Sequence, residues 1–448
     1  MDTKLHNVRI LRDGEWQTME VGIEGGRFSD IAATVSGPCC ESIDAAGAYC
    51  LPGGVDLHVH FNEPGRTHWE GFKTGTAAAA AGGVTSLVEM PLNSIPSTTS
   101  LAALDLKLKA IEGKSYVDYG LWGGLVPGNL DELEPLADAG VCGFKAFMSP
   151  SGTDDFINSD TETLRAGMQR IARTGLRLAL HAEDPAVLEP AAARLAQRES
   201  ATDWEASRPV EAEVSAVRIA IELSKETGCP ITIVHVSAPE VLDVIDAAKA
   251  EGVDILCETC PHYLLLDLED AERIGPAAKC APPLRPHQVV DAQWAAVLAG
   301  RIDTIGSDHS PCPPEMKTGR DFYSAWGGIS GLQHGLPLLF DRVSIGAGPD
   351  MGRLVDMVST RPAAIMGMKG KGQLGVGADA DFVLIRPSTV PRSIAAEDLL
   401  YRHRHSAYCG MTQRLEVQSS WLRGQCVFTD GHVQGEPSGA FLRGKGGL

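Results

Sequence analysis

His58 and His60, in Gly54-Val55-Asp56-Leu57-His58-Val59-His60-Phe61, project from one face of an extended segment while Leu57, Val59 and Phe61 project from the other. Imidazoles at i, i+2 can ligate one divalent metal, because neutral imidazole suits zinc and its first-row neighbours. Alone, the pair reads more simply as a strand with two half-buried histidines, so the remaining ligands must come from elsewhere. Lys145 lies in Gly143-Phe144-Lys145-Ala146-Phe147, and His181 ends Arg177-Leu178-Ala179-Leu180-His181. His235 sits in Ile233-Val234-His235-Val236-Ser237, and Asp308 follows Ile305-Gly306-Ser307. Taken singly, His181 or His235 reads as a hydrogen-bonded core histidine, Lys145 as a snorkelling cation and Asp308 as a helix cap. Placed together at the ends of parallel strands, they face one mouth and point to a metal site.

The lysine narrows the chemistry. Burying an ammonium in an apolar strand is costly or forces the group to neutralise, and a cation would repel metal ions. Both problems vanish if the amine has added carbon dioxide to become a carbamate, an anionic ligand able to bridge two metals.

The surrounding pattern supplies the strands. From Val8 to Ile43 short alternating segments are broken by Asp13-Gly14 and Gly25-Gly26, a hairpin signature. After Gly53-Gly54 apolar strands alternate with helical stretches, the pattern of parallel βα units. Strands are predicted at Val55–Phe61, Val84–Met90, Val117–Gly123, Cys142–Met148, Leu176–His181, Ile231–Val236, Ile255–Cys260 and Thr304–Ser307. Helices are predicted at Trp69–Ala81, Leu101–Ile111, Thr161–Arg173, Val210–Thr227, Pro239–Glu251 and Val289–Ala299. Eight strands suggest an α/β fold with a closed (β/α)8 barrel over residues 51–368. The Pro/Gly-rich loop from Pro311 to Gly331 then lies at the functional end. Alternation returns beyond Met368, with strands at Phe382–Ile385, Leu415–Val417 and Gln425–Thr429. Residues 1–50 and 369–448 are therefore expected to form one small β-sandwich beside the barrel.

The 448 residues can bury a large core, and 44% hydrophobic with 22% charged residues describe an ordinary globular protein. A net charge of −19 and a pI near 5.1 argue against nucleic acid or an anionic membrane as partner. A small-molecule ligand is expected. No secretory signature or membrane-length apolar run is present, which leads to the expectation of a cytoplasmic protein. Eleven scattered cysteines, Cys257 and Cys260 among them, fit free thiols.

Longer motifs resemble the amidohydrolase superfamily and its cyclic-amidase branch of dihydroorotases, hydantoinases and allantoinases. They are Pro52-Gly53-Gly54-Val55-Asp56-Leu57-His58-Val59-His60, Glu63-Pro64-Gly65, Ala79-Ala80-Ala81-Gly82-Gly83-Val84-Thr85, Cys260-Pro261-His262-Tyr263, Ala281-Pro282-Pro283-Leu284-Arg285, Ser307-Asp308-His309 and Gly377-Ala378-Asp379-Ala380-Asp381. Glu89-Met90-Pro91-Leu92-Asn93, Lys279-Cys280-Ala281 and Trp326-Gly327-Gly328-Ile329 are similar to allantoinase-type segments. Dihydroorotases carry an arginine for a substrate carboxylate where this chain has Asn62. Hydantoinases often carry a serine where it has Ala281.

The resemblance implies two divalent metals, zinc foremost with cobalt, manganese or iron also compatible. His58, His60 and Asp308 would hold one, His181 and His235 the other, with Lys145 carbamylated by carbon dioxide between them. It implies hydrolysis of the ring amide of allantoin to allantoate, with Asp308 shuttling the proton. Asn93, Ala281 and Gly328 are expected to contact the substrate, and a homotetramer is expected. The alternatives are a hydantoinase or dihydropyrimidinase acting on other cyclic ureides, or a scaffold that has lost its metals.

Overall fold

The computed structural model describes residues 1–343 and 348–444. Positions 344–347 of the expected 51–368 unit and 445–448 of the expected 369–448 segment lie outside the described residues.

Eight parallel strands form the centre: Gly54–Val59, Val84–Glu89, a third that runs Asp118–Leu121 and resumes at Gly123–Gly124, then Phe144–Phe147, Leu178–His181, Ile231–Ile233, Ile255–Thr259 and Thr304–Ile305. Consecutive strands pair in parallel register, for example Phe144 with Leu178 and Leu178 with Ile231. At the break in the third strand the Trp122 N–H donates to the Glu89 carbonyl (2.9 Å), which carries the ladder across. The ring closes where the His60 N–H donates to the His309 carbonyl (2.8 Å), beside a parallel bridge from Val59 to His309. The result is a (β/α)8 barrel.

The strands are shorter than predicted, chiefly at their C-terminal ends, because the residues there turn away from the ladder. His235 and Asp308 adopt φ of +43° and +44°, a left-handed conformation that ends pairing and is uncommon outside glycine. The helices Leu101–Ile111 and Val210–Thr227 match their predicted spans. Ser100 caps the first by accepting the Ala103 N–H. The first helix spans Phe72–Ala81. Trp69 and Glu70, expected inside it, are instead buried in the preceding loop. Helices also form at Pro185–Ala193 and Leu332–Val343, which the pattern did not reveal. Among the described residues no helix is long and apolar enough to cross a membrane.

Both chain ends contribute to one sheet. Thr3–Arg12, Glu15–Glu24, Arg27–Ala32, Glu41–Asp44 and Tyr49–Pro52 join Phe382–Ser393, Thr412–Leu422, Gln425–Thr429 and His432–Val433. Tyr49–Pro52 pairs antiparallel with Phe382–Ser393 and bridges the early and late strands. Leu5, Ile10, Phe28, Phe382 and Trp421 form its core, with the last two rings stacked at 5.3 Å. Lys371 bonds Asp118 at the start of the third barrel strand (2.5 Å) and Asp381 at the start of the late strands (2.7 Å). All three side chains are nearly fully buried, so a charged knot ties the sheet to the barrel.

Candidate metal centre

Asp56, buried in the first barrel strand, accepts the His58 N–H (3.0 Å) and the Ser307 N–H (3.1 Å). The Ser307 hydroxyl in turn donates to the His58 carbonyl. This cross-link fixes the end of the first strand against the segment that carries Asp308. Asp308 Oδ1 then sits 3.2 Å from His58 Nε2 and 3.3 Å from His60 Nε2. The three side chains form a group with spacing suited to one cation. The His181 Nδ1 and His235 Nε2 approach to 3.0 Å, and the His58 and His235 rings lie 5.6 Å apart. The four histidines and Asp308 are thus brought to one place.

Lys145, on Phe144–Phe147, is fully buried, and its Nζ has no hydrogen-bond partner. Burial pushes its ammonium below the ordinary lysine value. An orphaned amine beside four imidazoles and a carboxylate is the donor set that a pair of divalent cations and a lysine carbamate would satisfy, so these residues fit such a centre.

The imidazoles are prepared as ligands. Burial holds His58, His181 and His235 below the ordinary histidine range, so they are neutral and keep a lone pair. Glu258 Oε1 lies 2.7 Å from His58 Nδ1, and the Leu92 carbonyl 3.1 Å from His60 Nδ1, which leaves Nε2 of each facing Asp308. His181 is reversed: Glu183 Oε2 lies 2.8 Å from its Nε2, so Nδ1 faces the cluster. Glu183 is clamped by Arg208, whose Nε and Nη2 donate at 3.0 and 2.5 Å. Against the burial that would raise it, Arg208 and His181 bring the Glu183 carboxyl to about 2. Asp56, Glu183, Arg208 and Glu258 were not singled out from the sequence. The available signals were a carboxylate inside the apolar strand Ile255–Thr259 and a glutamate two residues after His181.

A cavity of about 320 Å³ opens above the cluster. Its wall includes His58, His60, His181, His235 and Asp308, while Lys145 is buried behind it. Asn93, Ala281 and Gly328 all line it. Gly328 has φ +143°, and a Cβ there would lie 2.5 Å from the Ser310 carbonyl oxygen, so only glycine fits. Its N–H donates to the Lys279 carbonyl (2.7 Å) and its carbonyl accepts from Lys317 Nζ (2.8 Å), so both backbone groups are already bonded within the protein. Trp326 also lines the wall, and its Nε1 is buried without a hydrogen-bond partner. The two cations on the wall are engaged: Arg208 by Glu183, and Lys279 by the carbonyls of Tyr323 and Ala325. No unpaired cation among the described wall residues awaits a carboxylate.

Comparison with known proteins agrees with this geometry. Residues 49–427 match the amidohydrolase family. An allantoinase from Rubrobacter xylanophilus is 49% identical, with 96% of this chain and 95% of that protein covered. An allantoinase from Deinococcus radiodurans is 42% identical, with 97% of each covered. Among solved structures, the L-hydantoinase (dihydropyrimidinase) from Arthrobacter aurescens superposes with a TM-score of 0.93 at 33% identity, covering 99% of each chain. On the family match, the near-full-length likeness and the barrel together, the chain belongs to the amidohydrolase family.

Proposed function

We propose that this protein is a metal-dependent cyclic amidase that opens the hydantoin ring of allantoin to give allantoate. The observation that carries the reading is identity of 42–49% to allantoinases over nearly the whole chain, with every expected ligand position filled. In this reading residues 51–368 hold the site, 1–50 and 369–448 form the flanking β unit, and the enzyme works as a cytoplasmic homotetramer.

His58, His60 and Asp308 would hold one divalent ion, His181 and His235 a second, with Lys145 as its carbamate between them; zinc is the proposed metal. When bound, the ions supply Lewis acidity toward the carbonyl oxygen and bring the pKa of water toward about 7. Asp308 is the proton carrier. Its carboxylate stands at the cavity wall beside both Nε2 atoms, placed to take a proton from the attacking water. Water attacks the ring amide carbonyl and gives its proton to Asp308, which passes it to the ring nitrogen as the C–N bond breaks. Neutral groups on the wall, the Asn93 amide among them, suit the uncharged ureido substituent, in keeping with Asn62 where a carboxylate-binding arginine would otherwise stand.

The structural likeness to a hydantoinase favours one alternative, an enzyme for simpler cyclic ureides. Initial rates on allantoin, hydantoin and dihydrouracil decide between them. The proposal expects kcat/KM to be highest on allantoin; preference for either of the others would replace it.

A further inference from the structure

Arg66 lies in the loop between the first barrel strand and its helix, outside the cavity wall, yet it gathers the loops that build that wall. Its Nη1 donates to the Asn93 carbonyl (2.8 Å) and to Asp155 Oδ2 (3.0 Å), and its Nη2 to Asp155 Oδ1 (3.2 Å). The guanidinium packs over Trp69 at 5.1 Å, and Trp69 meets Trp326 edge-on at 4.9 Å. One side chain therefore joins its own loop to the loops carrying Asn93 and Asp155 and, through the two tryptophans, to the loop carrying Trp326.

Each connection reaches the cavity. Asn93, Ser151, Gly152 and Trp326 line it, whereas Arg66 and Asp155 do not. Asp155 is coupled to Ser151 within its own turn, because the Ser151 hydroxyl donates to the Phe156 carbonyl (2.6 Å) above the fully buried Phe156 ring. The Asn93 loop is also tied to the Arg66 loop by the Ile95 N–H, which donates to the Pro64 carbonyl (2.9 Å). The Arg66 and Asp155 side chains are only 17% and 29% exposed. A planar fork that serves two carboxylate oxygens and a carbonyl at once is a task for which lysine is no substitute.

We propose that Arg66 is a positioning residue, latched by Asp155, that holds the substrate-facing loops as one wall and so sets affinity for the substrate without touching the reacting atoms. This deepens the cyclic-amidase reading and rests on it for the identity of the substrate alone.

The test compares Asp155→Ala, Arg66→Gln, Arg66→Lys and the Asp155→Ala/Arg66→Gln double variant in the metal-loaded protein. Breaking a pair of this exposure should raise KM for allantoin about three- to fivefold, with kcat within about twofold of wild type. Arg66→Lys should recover less than half of the loss, and the double variant should be no worse than Arg66→Gln. Amide hydrogen exchange gives a readout independent of turnover: Asp155→Ala should speed exchange at Ile95, in a loop it does not belong to. Unchanged exchange there, or KM effects that simply multiply in the double variant, overturns the latch. Faster exchange in a protein that does not turn over allantoin keeps the latch and rejects the substrate.

Discussion

Glu258 Oε1 lies 2.7 Å from His58 Nδ1, with both side chains 2% exposed. With a cation on Nε2 the imidazole proton sits on Nδ1, where Glu258 accepts it. Partners of this kind, one bond away from the ligands, typically contribute 10- to 100-fold to metal affinity. Glu258→Ala should therefore weaken divalent-metal binding by roughly 10- to 100-fold. Glu258→Gln, whose amide oxygen still accepts from Nδ1, should weaken it less. Metal titration with a competing chelator checks both, and equal affinities in wild type and Glu258→Ala would contradict the assignment.

Gly328→Ala adds a Cβ 2.5 Å from the Ser310 carbonyl at a backbone φ of +143°. Strain of this kind costs on the order of 1–3 kcal/mol, and it falls on the loop that presents Trp326 to the cavity. The expected outcome is a folded protein whose kcat/KM is reduced about tenfold or more, given that 1.4 kcal/mol is a factor of ten. Steady-state kinetics beside circular dichroism checks it.

Lys107 and Glu89 form a fully buried ion pair at the end of the second barrel strand, where Glu89 also accepts the Phe61 N–H. Lys107→Met leaves that carboxylate alone in the core and should cost about 3–5 kcal/mol in urea unfolding. Adding Glu89→Gln removes the stranded charge and should restore part of the loss. A single variant as stable as wild type would show that the pair does not support the barrel.

Burial brings the Lys317 ammonium from 10.5 to about 8, although the Pro276 and Gly328 carbonyls accept its protons. Between those values the unfolded chain holds a proton that the folded chain has released, so stability rises with pH from about 8 to 10.5. The contribution is fully present above 10.5 and is lost as pH falls through about 8. It amounts to about 3 kcal/mol at most. Unfolding profiles of wild type and Lys317→Met should diverge in that window, and parallel profiles would contradict the shift.

The barrel was legible because the strand cores and the helices Leu101–Ile111 and Val210–Thr227 keep a clean apolar period. The residues gathered at the barrel mouth were legible because His58, His60, His181, His235 and Asp308 stand at or just beyond the ends of such strands, with Lys145 inside its own. Strand ends were overrun because His235 and Asp308 turn left-handed, a backbone choice that no residue type announces. Phe382–Ser393 runs well past its apolar start, since residues from Arg386 onward are mostly exposed and carry no alternation. Glu258, Glu183 and Arg66 stayed hidden for another reason. Glu258 and Arg66 act on partners far along the chain, 200 residues away for His58 and 89 for Asp155, while Glu183, only two residues from His181, depends on Arg208 25 residues further on.

The central claim is that this cavity hydrolyses allantoin only through a metal centre that includes Lys145. It is tested most directly by measuring allantoate formation by wild type before chelation, after chelation, and after reloading with zinc and bicarbonate, beside Lys145→Ala taken through the same steps. The account predicts turnover that disappears with the metal and returns on reloading in wild type, and none at any step in Lys145→Ala despite a folded barrel. Allantoate formed by metal-stripped protein, or at a wild-type rate by Lys145→Ala, would contradict it.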